Sequence, residues 1–172
     1  MKSSGIVITG ATGLVGGALL SGLSQPGVLT PSRAEMDFTD PQKVARYLLL
    51  HRPGVIIHAG AFTDNDAAER ERGDKDGECW RVNVEGTRNI ADAAASAGAY
   101  VIYISTGSVF AGDEKNPGPF KETDPTSGEE RVSWYGWTKA MGEKQVRDGA
   151  VIRLSHPLAR TPIFDIRIDE SK

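Results

Sequence analysis

The stretch Gly10-Ala11-Thr12-Gly13-Leu14-Val15-Gly16, set directly behind the apolar run Ile6-Val7-Ile8, constrains this chain more than any other. An apolar β-branched run that stops at a glycine reads as a buried strand ending in a sharp turn. A second glycine lets backbone N–H groups approach a phosphate, and a third lets the next helix pack close to the strand. The N-terminus of that helix then supplies a positive partial charge. The glycines are spaced three apart, which differs from the commoner Gly-x-Gly-x-x-Gly pattern in its first interval. Strand before and helix after is nevertheless the setting that a nucleotide-phosphate cradle needs.

Downstream, apolar β-branched runs alternate with helix-period segments. Strands are predicted at Gly5–Thr9, Val28–Leu29, Gly54–His58, Tyr100–Ser105 and Ala150–Leu154. Helices are predicted at Leu14–Leu23, at Pro41–His51 with Asp40 as N-cap and Pro41 in the first turn, at Asn83–Ala97 closed by Gly98, and at Ser133–Val146. Continuous apolar strand cores separated by helices predict an α/β fold: a Rossmann-type doubly wound parallel sheet with helices on both faces. Ala111–Val132 has little periodicity and is read either as a flap over a substrate or as a solvated insertion.

The 172 residues suffice for one ordinary domain, and a hydrophobic fraction of 39% with a net charge of -3 reads as a mildly acidic globular protein. Lys and Arg form no block, so no nucleic-acid face is expected. No apolar run reaches the roughly 18–20 residues of a membrane helix. The single Cys79 has no disulfide partner in the chain. It reads as an ordinary helix residue, and no metal site is expected. Together with the absence of a signal-peptide pattern at Met1-Lys2-Ser3-Ser4, these features predict a cytoplasmic protein.

Two further segments carry chemistry. After the second strand comes Thr30-Pro31-Ser32-Arg33, with no acid at the strand end. A dinucleotide with a bare ribose usually meets an acid there, and a 2′-phosphate a basic group. Arg33, with the Ser32 hydroxyl, therefore favours NADP(H), with NAD(H) as the second choice; Asp37, Phe38 and Asp40 are placed toward the adenine edge. Later, Tyr135 and Lys139 stand four apart on a predicted helix and so share a face, and the preceding strand ends in Ser105-Thr106. Reduction of a ketone needs a proton donor, a hydrogen bond to the carbonyl oxygen and a hydride source. Tyr135 suits the first role, with the Lys139 ammonium expected to lower its pKa, and Thr106 the second.

At these residues the chain resembles the extended short-chain dehydrogenase/reductases, most closely the dTDP-4-dehydrorhamnose reductase group of sugar-nucleotide reductases. The matching text is Gly10–Gly16, Met36–Pro41, Arg52–Thr63, Asp66–Glu69, Val82–Thr87, Ile104–Gly112 and Tyr135–Glu143, within about residues 5–156. The resemblance implies a catalytic triad of Thr106, Tyr135 and Lys139. It also implies cofactor contacts from Gly10, Gly13, Leu14, Val15, Ala59, Gly60, Ala61, Tyr135 and Lys139, to which Thr12 of the same turn is added. Two departures stand out: Gly107 replaces an expected substrate-side Asp, and Asn65 an apolar residue. Gly107-Ser108 offers no acid–base pair beside the threonine, which argues against a dehydratase.

These readings give an NADP(H)-binding domain with the catalytic residues over 1–156. Residues 157–172 are expected to be a tail or a remnant of a substrate region, the substrate domain being expected to be largely absent from these 172 residues. The expected function is NADPH-dependent reduction of a keto group on a nucleotide-linked deoxysugar. The expected partners are that sugar nucleotide and a homodimer mate or a partner chain supplying the substrate region. The alternatives are a non-catalytic dinucleotide-binding or regulatory module, since the regulatory subunit of methionine adenosyltransferase is similar to this family, or a truncated reductase.

Overall fold

The computed structural model describes residues 5–23 and 26–155. The predicted tail at 157–172 lies outside the described residues. Five strands, β1 (Ile6–Thr9), β2 (Val28–Leu29), β3 (Val55–His58), β4 (Tyr100–Thr106) and β5 (Gly149–Leu154), pair in the order β2-β1-β3-β4-β5. All four pairings are parallel, with Ile8 opposite Ile57 and Ile57 opposite Ile102 across the centre. This is the predicted Rossmann-type sheet. Its strand order reverses between β1 and β3, the place where ligands bind outside the carboxyl ends of such sheets.

Alternation along each strand divides the core between the two faces. Val7, Ile56 and Val101 pack with Val44 and Leu48 of α2 (Pro41–His51) and with Ile90 and Ala94 of α5 (Gly86–Ala97). Their neighbours Ile8, Ile57 and Ile104 face the other way, against Val15 and Leu19 of α1 (Leu14–Gly22). Each fully buried aliphatic side chain contributes about 1.5–3 kcal/mol, so burial on both faces fixes the register.

Caps behave as the sequence predicts. The Asp40 carboxylate accepts from the N–H groups of Gln42 and Lys43, and Gly98 closes α5 in the left-handed conformation. Asp40 is thereby committed to the start of α2 and not to an adenine edge.

Other expectations are corrected in detail. The predicted helix at Asn83–Ala97 is entered through a π-helical stretch, Arg81–Glu85. The helix predicted to end at Val146 is α6 (Trp134–Glu143). Two short helices went unpredicted, α3 (Asn65–Arg70) and α4 (Glu78–Trp80). They are too short to show an apolar period, and α3 depends on Asp64 capping the N–H of Ala67.

The segment Ala111–Val132 folds on itself. Ser127 bonds back to Ala111 and Val109, Arg131 pairs with Asp113, and Phe120 stacks on Phe110 at 4.7 Å. None of its residues lines the crevice described below.

Candidate active site

The crevice begins at the turn after β1. Gly10 takes φ +68°, and a Cβ there would lie 2.6 Å from the Cα of Gly60, which follows β3. A Cβ on Gly16 would collide with the carbonyl of Gly10. Bare backbone at both places lets α1 and the two strand ends close together, the cradle that the glycine spacing predicts.

Two cavities, of about 530 Å³ and about 550 Å³, share Gly10, Thr12, Phe38 and Ala61. The first runs toward β2 and is lined by Ser32, Arg33 and Asp37. The second runs toward α6 and is lined by Gly13, Leu14, Val15, Ala59, Gly60, Thr106, Tyr135 and Lys139. The structure thus brings the sequence-predicted site residues, Asp40 excepted, to one elongated crevice. It adds residues that the sequence reading did not single out: Glu78 and Val82 in the first cavity, Thr63 and Leu154 in the second. Thr63, Glu78 and Val82 come from a loop and from short or π-helical turns, where no periodic pattern marks an inward side chain, and Leu154 ends β5.

At the α6 end, the N-cap Ser133 accepts from the N–H of Gly136 and sets the first turn, which carries Tyr135. Lys139, one turn on, is almost wholly buried; its Nζ donates to the Ile104 carbonyl at 2.8 Å and lies 4.0 Å from the Tyr103 ring centroid. Burial pulls its pKa down to about 7, and the Glu143 carboxylate opposes that pull. Glu143 is itself held by Ser105 Oγ at 2.6 Å and by two bonds from Arg153, at 2.9 and 2.7 Å. Thr106 Oγ1 accepts from the N–H of Ser108 and donates to the Ser108 hydroxyl.

Tyr135 differs from expectation. Burial holds its phenol above the ordinary value, and the group opposing that shift is the Thr106 hydroxyl rather than Lys139. The reason is geometric: the Lys139 nitrogen is turned to a backbone carbonyl and an aromatic face, and its own charge is weakened by burial.

A buried polar seam lies beneath the crevice, also unforeseen. Thr9 Oγ1 sits 2.7 Å from His58 Nδ1 and accepts from the N–H of Gly60. His58 Nε2 meets Thr87 Oγ1 at 3.3 Å, and burial, then Lys139, lowers the imidazole pKa to about 3. Asn83, on the π-helical stretch, pins the loop after β3: its Oδ1 accepts from the N–H of Phe62, and its Nδ2 donates to the Phe62 carbonyl and to Thr138. A buried polar residue opening an Ala-rich helix was the available signal.

At the β2 end the absence of an acid is also corrected. A turn folds Glu35 back onto Ser32, and Arg33 pairs with Asp37 at 3.0 Å. Asp37 is further engaged by the N–H and hydroxyl of Thr39. Cys79 is buried, and burial raises its thiol pKa. Among the described residues no group of three or more His, Cys, Asp or Glu could hold a metal, and no helix is long and apolar enough to cross a membrane.

Comparison with known proteins agrees with this layout. The family described as the RmlD substrate binding domain matches residues 3–163. A dTDP-4-dehydrorhamnose reductase of Streptomyces griseus is 36% identical over 142 residues, which are 81% of this chain and 44% of that protein. Methionine adenosyltransferase 2 subunit beta of Mus musculus is 33% identical over 167 residues, 90% of this chain and 47% of that one. Among solved structures, dTDP-4-dehydrorhamnose reductase from Bacillus anthracis str. Ames in complex with NADP superposes with a TM-score of 0.78 at 30% identity, over 90% of this chain and 54% of that one. The chain therefore spans about half the length of the relatives it matches.

Proposed function

The chain belongs to the RmlD substrate binding domain family, and on that premise we propose that it serves NADPH-dependent reduction of a keto group on a nucleotide-linked deoxysugar, with NAD(H) as a second cofactor. One observation carries the reading. The glycine cradle and the set Thr106, Tyr135 and Lys139 line the same cavity, so a dinucleotide seated by the first would end at the second. The bare backbone of Gly10, Gly16 and Gly60 fits a pyrophosphate, and a cavity of about 530 Å³ toward Arg33 suits an adenosine half. The bound dinucleotide would supply the hydride.

The chain's own residues do the rest. Gly13, Leu14 and Val15 present backbone at the start of α1. Lys139 reaches the crevice from a buried seat and suits a ribose hydroxyl. Thr106 offers a hydroxyl to a carbonyl oxygen. Tyr135, kept protonated by burial, gives its phenolic proton to the alkoxide that develops there. The nucleotide-binding and catalytic unit is assigned to residues 1–156.

The test is oxidation of NADPH by the purified chain with dTDP-4-keto-6-deoxyhexose. Turnover that requires Tyr135 supports the proposal. A second reading, dinucleotide binding without turnover, draws on the likeness to methionine adenosyltransferase 2 subunit beta. It predicts NADPH binding with no sugar-nucleotide-dependent oxidation even when the assay is repeated on a protein of the full length of the reductase relatives, and that outcome would displace the reductase.

A further inference from the structure

The stretch Asp66-Ala67-Ala68-Glu69 carries part of the family resemblance, yet none of it lines the crevice. Its place is behind the proton donor. Ala68 is wholly buried and clusters with Cys79 and Trp134, and Tyr135 packs against the same cluster. Trp134 opens α6, is itself fully buried, and stacks on Trp80 with ring centroids 5.9 Å apart. Its backbone N–H is one of the leading N–H groups of α6, for which the helix itself has no acceptor. The Ser133 hydroxyl serves the Gly136 N–H instead. Glu69 serves Trp134: its Oε1 accepts from the Trp134 N–H. A carboxylate at that place also faces the positive end of the helix dipole.

Arg72 holds the carboxylate in this pose, its Nε and Nη2 donating to Glu69 at 2.8 and 3.0 Å. The same guanidinium donates to the carbonyls of Glu129 and Val132 at 3.1 and 2.9 Å, where the Ala111–Val132 segment runs into α6. The Arg72 and Glu69 side chains are 37% and 42% exposed, and an ion pair so exposed contributes little to stability by itself. What the arrangement decides is where α6 begins. Tyr135 is the residue after Trp134, so a fixed Trp134 N–H fixes the root of the tyrosine. At its other end α3 begins with Asn65, which lines the cavity alongside Tyr135 and follows the loop that carries Ala59, Gly60 and Ala61. We propose that Glu69 is a positioning residue for the reduction: its bond to the Trp134 N–H holds Tyr135 in register with the loop that seats the nicotinamide end of the dinucleotide. The inference rests on the reading of the crevice as a dinucleotide site.

The experiment follows the Tyr135 ring by carbon-13 NMR in the full chain labelled at tyrosine Cζ, with Tyr135→Phe to assign its signal among the four tyrosines. Wild type, Glu69→Gln and Glu69→Ala are each saturated with NADPH, and each is also unfolded in urea. The wild-type Tyr135 signal should move on saturation. In Glu69→Ala that movement should be largely lost, while the NADPH dissociation constant stays within about twofold of wild type, the usual scale for a substitution outside a site. Glutamine keeps an acceptor for the Trp134 N–H, so Glu69→Gln should recover most of the movement. Support of a merely structural kind would lower the urea midpoint of Glu69→Ala and leave the movement at Tyr135 unchanged. That result overturns the role of Glu69, as does a glutamine variant that behaves as alanine does. A wild-type signal that stays still although NADPH binds removes Tyr135 from the reacting end, and this inference with it. Wild type binding no NADPH overturns the dinucleotide reading itself, and this inference with it.

Discussion

Lys139 is a buried amine whose partners are a carbonyl, a ring face and a carboxylate one helical turn away, and this makes its protonation a property of the fold. With its native pKa drawn down to about 7 by burial, and an unfolded value near 10.4, the unfolded chain binds the proton more tightly between those limits. The Lys139 contribution to stability then rises with pH from about 7 to about 10, because the native state has shed its buried charge while the unfolded chain still holds the proton. Urea unfolding of wild type and Lys139→Met at pH 7 and at pH 10 should show the wild type gaining on the variant as pH rises. A constant difference would mean that Lys139 does not titrate in this range. Tyr135 is tested by chemistry instead. Removing its hydroxyl as Tyr135→Phe should lower kcat by roughly 10²–10⁴, the usual worth of a general acid. Its NADPH affinity should stay near wild type, since the crevice is otherwise intact. A phenylalanine variant with full turnover would assign the proton to another group.

At the scale of elements, legibility followed periodicity. The five strands and the helices α1, α2, α5 and α6 were readable because each buries an apolar face against the sheet, and that burial writes a period into the sequence. Helices α3 and α4 bury only Ala68 and Cys79 in full, so they left no trace. Turn geometry was equally silent: that Ser32 and Glu35 close on each other depends on backbone torsions, although their spacing is the one a capping box requires. Arg52 shows the same limit. It ends α2 in the left-handed region at φ 42°, a conformation ordinarily left to glycine, and its N–H reaches the Leu48 carbonyl. Left-handed torsions cost a side-chain-bearing residue roughly 1–2 kcal/mol, of which glycine's looser unfolded chain returns part. Arg52→Gly should therefore stabilise the fold by roughly 0.5–1 kcal/mol. A fall in the urea midpoint would show that the exposed arginine makes interactions worth more than the strain.

For the molecule as a whole, the site is a consequence of sheet order. Chain running outward from β1 and β3 in opposite directions leaves a gap at their carboxyl ends, and three glycines let the gap close to the width of bare backbone. The Thr9–His58–Thr87 seam then ties the floor of that gap to α5, so the crevice is held by the core rather than by loops. A ligand that fills it should stabilise the entire cooperative unit. At about 100 times its dissociation constant, NADPH adds about 2.7 kcal/mol, which for a chain of this size raises the melting temperature by roughly 5–10 °C. Gly16→Ala supplies the control. Its methyl group would meet the Gly10 carbonyl and force α1 away from the turn, so the variant should melt lower and also lose most of the NADPH-induced shift. Those two effects are separable, because the shift is measured against each protein's own unliganded melt. A Gly16→Ala protein that melts lower yet keeps the full shift would place the dinucleotide somewhere other than the glycine turn, since no pyrophosphate could follow a helix start displaced by a methyl group.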